Sequence, residues 1–452
     1  MIALKLLGAV LFPALLGFGF VNLFLNKQED AGLLERLALG FCAGLMLITL
    51  EMTYLLPVFH LRYSVLTVAT PLTLILIWGL IVTFKNRLID FKLNLNFKTV
   101  EKLLLAVLVL QVIFVFGTAM IKPVVGVDAW GNYSLRAKAY FVDGAVNLIN
   151  IPSSGRGDHV ALTQTWVFLC LNQWDDILGK INFPLYFAAL LLLFYYAARR
   201  LKGRGISLLS AVMLGTLPFL VYHATLEYTD FALALYLFIG ATLLLRWFDR
   251  PKINHLLLAF FFLFSILTIK NESYLHLVAV AIIFAANIFT RRLDKAAGIR
   301  AVRLGTLLGL VLGGLLFILK ALSIRELQLL PFDVYAARLG PLVSVFFDYM
   351  FLRANWNIVW FILAVLLLFN FQRLKENLNL FLLVGLELLA FMLFYFTSAD
   401  DVYGWLFYVT PAVRNLLQFM PLVVLALASL LELEWPPRPL LSAGRPKKKK
   451  KA

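Results

Sequence analysis

Charged side chains are scarce in this chain. Asp, Glu, Lys and Arg make up 15% of its 452 residues, whereas about 25% is usual in soluble domains. Apolar residues make up 62%, and the mean hydropathy is +0.89. A soluble fold cannot bury so much apolar surface, so the composition excludes that class and predicts a membrane protein.

Cysteine and histidine are also rare, with two and five residues. Cys42 and Cys170 form no C-x-x-C pair, so we expect neither a disulfide framework nor a zinc site. The phosphate-binding loops of nucleotide enzymes and the G-x-S-x-G motif of hydrolases are missing as well. No cofactor is predicted from motifs, but Mg²⁺ held by acidic residues needs no fixed spacing and stays open.

Apolar residues are concentrated in thirteen stretches that can cross a membrane, since a helical span needs about 20 residues. Backbone polar groups in lipid must be paired within the segment, and the alternation of a β-barrel is missing, so an all-α fold with about 13 spans is predicted. The stretches are residues 2–25, 33–56, 64–84, 102–121, 182–198, 206–222, 230–247, 254–269, 274–290, 304–322, 355–371, 378–396 and 412–432.

The net charge of +16 is distributed in a pattern that predicts the topology. Seven short, alternate loops hold 28 of the 41 Lys and Arg residues. The positive-inside rule assigns these loops to the cytoplasm, with the N-terminus outside and the C-terminus inside. The basic tail, residues 433–452, is then expected near anionic lipid and not on nucleic acid.

The loops on the other side include the longest polar segment, residues 122–181, and long loops are commonly functional. We therefore expect the site on the extracytoplasmic face. The predicted organisation is three leading spans (1–84), a cytoplasmic linker (85–101), a larger membrane unit (102–432) and the basic tail.

An amphipathic helix is predicted at the start of this outer loop, in the segment VDAWGNYSLRAKAYF. Arg136 and Lys138 flank the aromatic face, as expected of cations that reach toward lipid headgroups. Asp128 precedes the helix, where a carboxylate either caps the amides of Trp130 and Gly131, or serves a site, or does both. The predicted apolar face consists of Trp130, Tyr133, Ala137, Tyr140 and Phe141.

Further ionisable residues recur at the outer ends of predicted spans. Cations there can pair with phosphate oxygens, and carboxylates can accept sugar hydroxyl groups. The segment 153–176 is expected to form a second interfacial or re-entrant helix, with Arg156 or His159 as ligand contacts in the alternative interpretation. The span-end residues are Glu227, Asp230, Lys270, Glu272 and Arg414.

At these residues the sequence resembles membrane glycosyltransferases of the GT-C fold, particularly bacterial relatives of protein mannosyltransferases and of the lipid A aminoarabinose transferase. The resemblance covers roughly residues 102–432. It is carried by the segment after Asp128 and by YTDFALALY, TIKNESY and TSADDVYGWLFYVTPAVRNLLQFMP. Relatives usually carry the first large outer loop after one span, whereas three further spans precede it here.

The resemblance implies a sugar transfer from a polyprenyl-phosphate donor to a lipid, glycan or protein of the cell envelope, at the outer face of a bacterial inner membrane. It implies that Asp128 is the catalytic base. The phosphate-binding residues would be Lys270, Arg414, Arg136 and Lys138, and the substrate-binding residues would be Trp130, Tyr133, His159, Glu227, Asp230 and Glu272.

Two other functions stay open at the level of sequence. An O-antigen polymerase or ligase would use arginines of a late outer loop, and Arg325, Arg338 and Arg353 lie in such a loop. A flippase or carrier of lipid-linked or polar solutes would place ionisable residues at mid-membrane.

Overall fold

The computed structural model describes residues 1–27, 30–89, 96–146, 157–290 and 331–432. These residues form helices and connecting segments, and no strand occurs among them. The all-α prediction is therefore confirmed for this part of the chain. The predicted span 304–322 and the basic tail lie outside the described residues.

The helices are numbered in chain order. They are α1 (Ile2–Phe24), α2 (Leu33–Val58), α3 (Val65–Lys85), α4 (Thr99–Ile121), α5 (Leu135–Asp143), α6 (His159–Leu171), α7 (Asn182–Leu201), α8 (Arg204–Gly215), α9 (Pro218–Ala224), α10 (Thr229–Asp249), α11 (Ile253–Ser265), α12 (Ser273–Thr290), α13 (Phe332–Phe347), α14 (Val359–Phe369), α15 (Leu378–Thr397), α16 (Asp400–Gly404) and α17 (Val409–Leu430).

Eight of these helices are long and apolar enough to cross a membrane: α1, α2, α3, α4, α7, α10, α15 and α17. A ninth span is formed if α8 and α9, which are bent by 71° relative to each other, are taken together. Three more predicted spans correspond to the shorter apolar helices α11, α12 and α14. The chain is thus a helical membrane protein, and the described residues contain eight or nine full-length candidate spans.

Glycines bring the first three helices into backbone contact. A Cβ atom added at Gly17 would lie 1.8 Å from the carbonyl oxygen of Gly40, and one at Gly79 would lie 2.3 Å from the carbonyl carbon of Gly19. Small residues allow helices in membranes to approach closely and gain van der Waals contact. α1 therefore packs tightly on both α2 and α3.

The three leading helices also contact the outer loop. The indole Nε1 of Trp166 in α6 donates a hydrogen bond of 2.9 Å to the carbonyl of Ala9 in α1. The hydroxyl of Thr49 in α2 lies 2.8 Å from Nδ1 of His159. α1 and α2 therefore support α6, a helix of this loop.

We expect Gly17→Val to destabilise the protein by at least about 2 kcal/mol, because the new side chain meets backbone atoms that cannot rotate away. The measurement is thermal unfolding of the purified protein in detergent. Gly8→Val is the matched control, since nothing lies within 4 Å of a Cβ atom at Gly8 in the same helix. Equal melting temperatures for the two variants would contradict this account of the packing.

Candidate functional site

Five of the predicted site residues meet at one end of the helix bundle. Asp128 precedes α5, Asp230 lies in the first turn of α10, and Arg414 lies near the start of α17. Lys270 and Glu272 come from the connection between α11 and α12. These segments are far apart in sequence, so only the tertiary fold brings their charges together.

The charges form a continuous chain of ion pairs. Arg414 contacts Asp128 through Nη1 and Asp230 through Nε, each at 2.7 Å. The Nζ atom of Lys270 lies 2.9 Å from Asp230 Oδ1 and 3.2 Å from Glu272 Oε1. We call these five residues the outer cluster, after the side of the membrane that the sequence predicts for them.

Asp230 is the buried centre of the outer cluster. Its side chain is 0% exposed, and Oδ1 also accepts a 2.7 Å hydrogen bond from Nε2 of Gln418. Burial lowers the pKa of Lys270, but the Asp230 and Glu272 carboxylates outweigh it and hold that pKa above its ordinary value. The ammonium group therefore stays charged despite its burial, because a buried charge is stable only when it is paired.

The accessible edge of the cluster carries both signs of charge. The side chains of Asp128, Arg414 and Glu272 are 20%, 15% and 33% exposed. Arg414 uses Nε and Nη1 for its carboxylates, and its Nη2 amino group, which has no partner among the described residues, is left for another acceptor. The Tyr228 ring lies 4.9 Å from the guanidinium carbon of Arg414 and holds its plane. The edge thus offers a hydrogen-bond donor beside a carboxylate.

The prediction that Asp128 caps the following helix is wrong. Asp128 itself has helical dihedral angles (φ −67°, ψ −32°), and its side chain forms no capping hydrogen bond, whereas N-cap residues adopt extended angles. The carboxylate instead contacts Arg414, and its other oxygen accepts a 3.3 Å hydrogen bond from Asn132. This leaves the site interpretation of Asp128.

Arg136 is buried and does not extend toward lipid headgroups in the way that its flanking position predicted, whereas Lys138 is exposed. Arg136 is 3% exposed and forms an ion pair with Asp158, to which the Tyr140 hydroxyl also donates at 2.8 Å. The ammonium of Lys138 lies 4.2 Å from the centre of the Trp174 ring. Both cations thus have partners within the outer loop itself.

The remaining loop candidates are divided between core and surface. The Tyr133 hydroxyl is buried and lies 3.0 Å from that of Thr229, the residue before Asp230. Trp130 is 59% exposed; it leaves the predicted apolar face because Ala129–Ser134 form a wider π-helical turn. His159 is buried between Thr49 and Tyr186, whose hydroxyl is 3.1 Å from Nε2. It therefore contributes to packing in this structure.

Glu227 is a separate buried acid beside the cluster. Its side chain is 0% exposed, and neither carboxylate oxygen has a hydrogen-bond partner among the described residues. Burial raises the pKa of Glu227 to about 7, although the charge of Lys180 opposes this shift. The group changes its charge near neutral pH.

Three residues that the sequence analysis did not place in the site extend the network into the membrane. The Gln418 amide oxygen lies 2.9 Å from Nε2 of His276, and Nδ1 of His276 lies 2.6 Å from Glu387 Oε2. Two signals in the sequence point to them. Gln418 follows Arg414 by four residues and so shares its helix face, and Glu387 lies mid-way along the apolar helix α15.

The hydrogen bond between Nδ1 of His276 and the Glu387 carboxyl group requires one proton. The Gln418 amide nitrogen faces the Asp230 carboxylate, so the amide oxygen faces His276, and Nε2 must be the donor. The contact between Nδ1 and Glu387 then holds one further proton, on either the imidazole or the carboxyl group. The two side chains are completely buried, and we call them the membrane dyad.

The outer cluster does not fit a divalent metal ion. Among the described residues, no group of three or more His, Cys, Asp or Glu side chains could hold one. The three carboxylates of the cluster are each within 3.2 Å of Arg414 or Lys270, so these cations already fill the position that Mg²⁺ would take.

Known proteins do not identify this site. No protein-family model, curated protein or solved structure matches the chain. The interpretation of the outer cluster therefore depends on its geometry and on the short segments that carry the resemblance.

Replacing the central acid tests the ion-pair network. Asp230→Asn leaves Lys270 and Arg414 buried with one carboxylate fewer, and we expect a loss of about 3–5 kcal/mol in unfolding free energy. Asp128→Asn is the comparison, because Asp128 is partly exposed and Arg414 keeps its contact with Asp230. We expect this variant to lose less than about 2 kcal/mol in unfolding free energy. Unfolding in detergent measures both. Equal losses would contradict the central role of Asp230.

Glu227 predicts a pH dependence of stability. A carboxyl group whose folded-state pKa lies above its ordinary value of 4.5 stabilises the fold at low pH, and this stability is lost as pH rises toward 7. The shift corresponds to roughly 3 kcal/mol. Glu227→Gln should therefore be more stable than the wild type at pH 8 and should lose this pH dependence. Parallel pH profiles for the two proteins would show that Glu227 is not the titrating group.

Proposed function

We propose that this protein is a membrane glycosyltransferase that transfers a sugar from a polyprenyl-phosphate donor to an acceptor at the extracytoplasmic face. The observation that carries the proposal is the double contact of Arg414, which joins Asp128 to Asp230 at 2.7 Å. These residues belong to three of the segments that carry the GT-C resemblance. Their convergence supports a single site.

Arg414 and Lys270 are suited to the departing phosphate. When the bond between the anomeric carbon and the phosphate oxygen breaks, negative charge develops on the polyprenyl phosphate. The Nη2 group of Arg414 can donate a hydrogen bond to this phosphate, since Nε and Nη1 already contact Asp230 and Asp128. Lys270 adds a positive charge from the floor of the cluster.

Asp128 is suited to the acceptor. Its partly exposed carboxylate can accept the proton of an acceptor hydroxyl while the hydroxyl oxygen bonds to the anomeric carbon. The proton then resides on Asp128, and the phosphate leaves with the bonding electrons. Glu272 and Trp130 are more exposed, and we expect them to contact sugar hydroxyls or a sugar face.

The alternative that relies on arginines of the late outer loop has weaker support. Arg338 is buried and donates hydrogen bonds to the carbonyl groups of Phe396 and Ser398. Arg353 is paired with Asp348 at 2.7 Å. Both arginines have structural partners, and Arg325 lies outside the described residues.

A carrier of lipid-linked sugars is the second candidate, and the membrane dyad favours it. His276 and Glu387 are buried ionisable residues, and Glu387 lies in the middle of a span, as is typical of transport pathways. A carrier moves its substrate across the bilayer intact, so the covalent product distinguishes the two functions.

The test is incubation of the purified protein with a panel of polyprenyl-phosphate sugars and cell-envelope acceptors, followed by mass spectrometry for released polyprenyl phosphate. We expect release with one donor. Asp128→Asn should reduce the rate by about 10²–10⁴-fold, as for loss of a general base. Asp143→Asn is the matched control, because Asp143 is exposed at the end of α5 and is not part of the outer cluster.

Two outcomes overturn the proposal. Release of polyprenyl phosphate by Asp128→Asn at the wild-type rate would show that Asp128 is not the catalytic base. Transport of an intact labelled donor into liposomes, with no release from any donor, would establish the carrier instead.

A further inference from the structure

A second polar site lies at the other end of α10. Arg246 is in the last turn of this helix, sixteen residues after Asp230. A rise of 1.5 Å per residue separates the two by roughly 24 Å, about the thickness of the hydrocarbon core. A group bound on Arg246 is therefore remote from the outer cluster.

Arg246 lines a cavity of about 580 Å³ between helices of the bundle. Apolar side chains from membrane spans line about half of the cavity, and polar or charged side chains such as Glu35, Arg200 and Lys375 line the rest. The apolar wall includes Leu39, Leu193, Ile239, Leu243 and Leu425.

The guanidinium of Arg246 lacks the partners that burial demands. The side chain is only 15% exposed, and its Nη1 atom is buried without a hydrogen-bond partner among the described residues. Among the described residues, the closest carboxylate oxygen to this guanidinium is Asp30 Oδ1, at 4.0 Å from Nη2. This distance is too long for a hydrogen bond. An unsatisfied buried guanidinium costs free energy, so an anionic ligand would stabilise it.

Neighbouring groups are already engaged with one another. Both carboxylate oxygens of Glu35 accept from Nη2 of Arg200, at 2.6 and 2.7 Å. Asn287 and Asn379 exchange hydrogen bonds of 2.8 and 3.1 Å across the cavity wall. Among the described residues that line this cavity, the buried group without a hydrogen-bond partner is thus a cation. Its chemical complement is a planar or tetrahedral oxyanion.

We propose that this cavity binds a membrane phospholipid, with the lipid phosphate on Arg246 and an acyl chain along the leucine-lined wall. Arginine recognises phosphate through paired donors, and the leucine side chains of the wall give an acyl chain apolar contacts that a water-soluble anion cannot use. Charge complementarity and the amphipathic shape of the cavity lead to the same ligand class. The proposal does not depend on the function of the outer cluster.

The experiment measures lipid retention by the full-length protein in detergent. Dioleoyl phosphatidylglycerol is the probe, and dioleoylglycerol, which has the same chains without phosphate, is its comparison. Native mass spectrometry counts retained lipids, and thermal unfolding reports the accompanying stabilisation. We expect retention of the phospholipid only, weakened at least about tenfold in Arg246→Gln.

Arg250→Gln is the matched control. Arg250 lies four residues further on, is exposed and does not line the cavity, so this variant loses the same charge from the same end of α10 and should retain the lipid. If Arg246→Gln fails to fold, the comparison of the two lipids on the wild type still shows whether the phosphate is recognised.

Three results overturn the proposal. Equal retention of the two lipids would show that the phosphate is not recognised. Equal retention by Arg246→Gln and the wild type would exclude Arg246 as the binding group. Stabilisation by glycerol phosphate that matches the phospholipid would replace the lipid by a soluble anion.

Discussion

The buried carboxylate of Asp230 is the interaction on which this end of the molecule depends. A charge in a fully buried position must be neutralised nearby, and here Arg414, Lys270 and Gln418 each approach within 3 Å. These partners belong to α17 and to the connection between α11 and α12, so the electrostatic requirement of one side chain fixes the relative positions of those elements. Asp128 then acquires its place through Arg414.

The sequence predicted the elements better than their contacts. Long apolar runs determined the spans, and charges at span ends indicated that Asp128, Asp230, Lys270 and Arg414 share one depth. The pairings could not be predicted, because Arg414 and Asp128 are separated by 286 positions and only packing selects partners at that separation. Trp130 does not share the face of Tyr133 and Tyr140, which are buried, for a local reason: a π-helical turn shifts the phase of a wheel drawn for an α-helix.

The leading helices are part of the same framework as the site. The sequence analysis divides the chain at residues 85–101 because that segment is polar. Composition identifies such linkers but carries no information on how helices pack. In the structure, Tyr236 of α10 donates a 2.7 Å hydrogen bond to the carbonyl of Cys42 in α2, and α6 contacts both α1 and α2. The helix that carries Asp230 is therefore held from the N-terminal side as well.

The shared proton of the membrane dyad has an electrical consequence. Whether the proton is on His276 or on Glu387, the two side chains together carry no net charge. A net charge moved across the membrane gains or loses about 2.3 kcal/mol per 100 mV, whereas a neutral pair experiences the field only through its dipole. In a bilayer that carries a potential, such a pair is thus not driven toward either face.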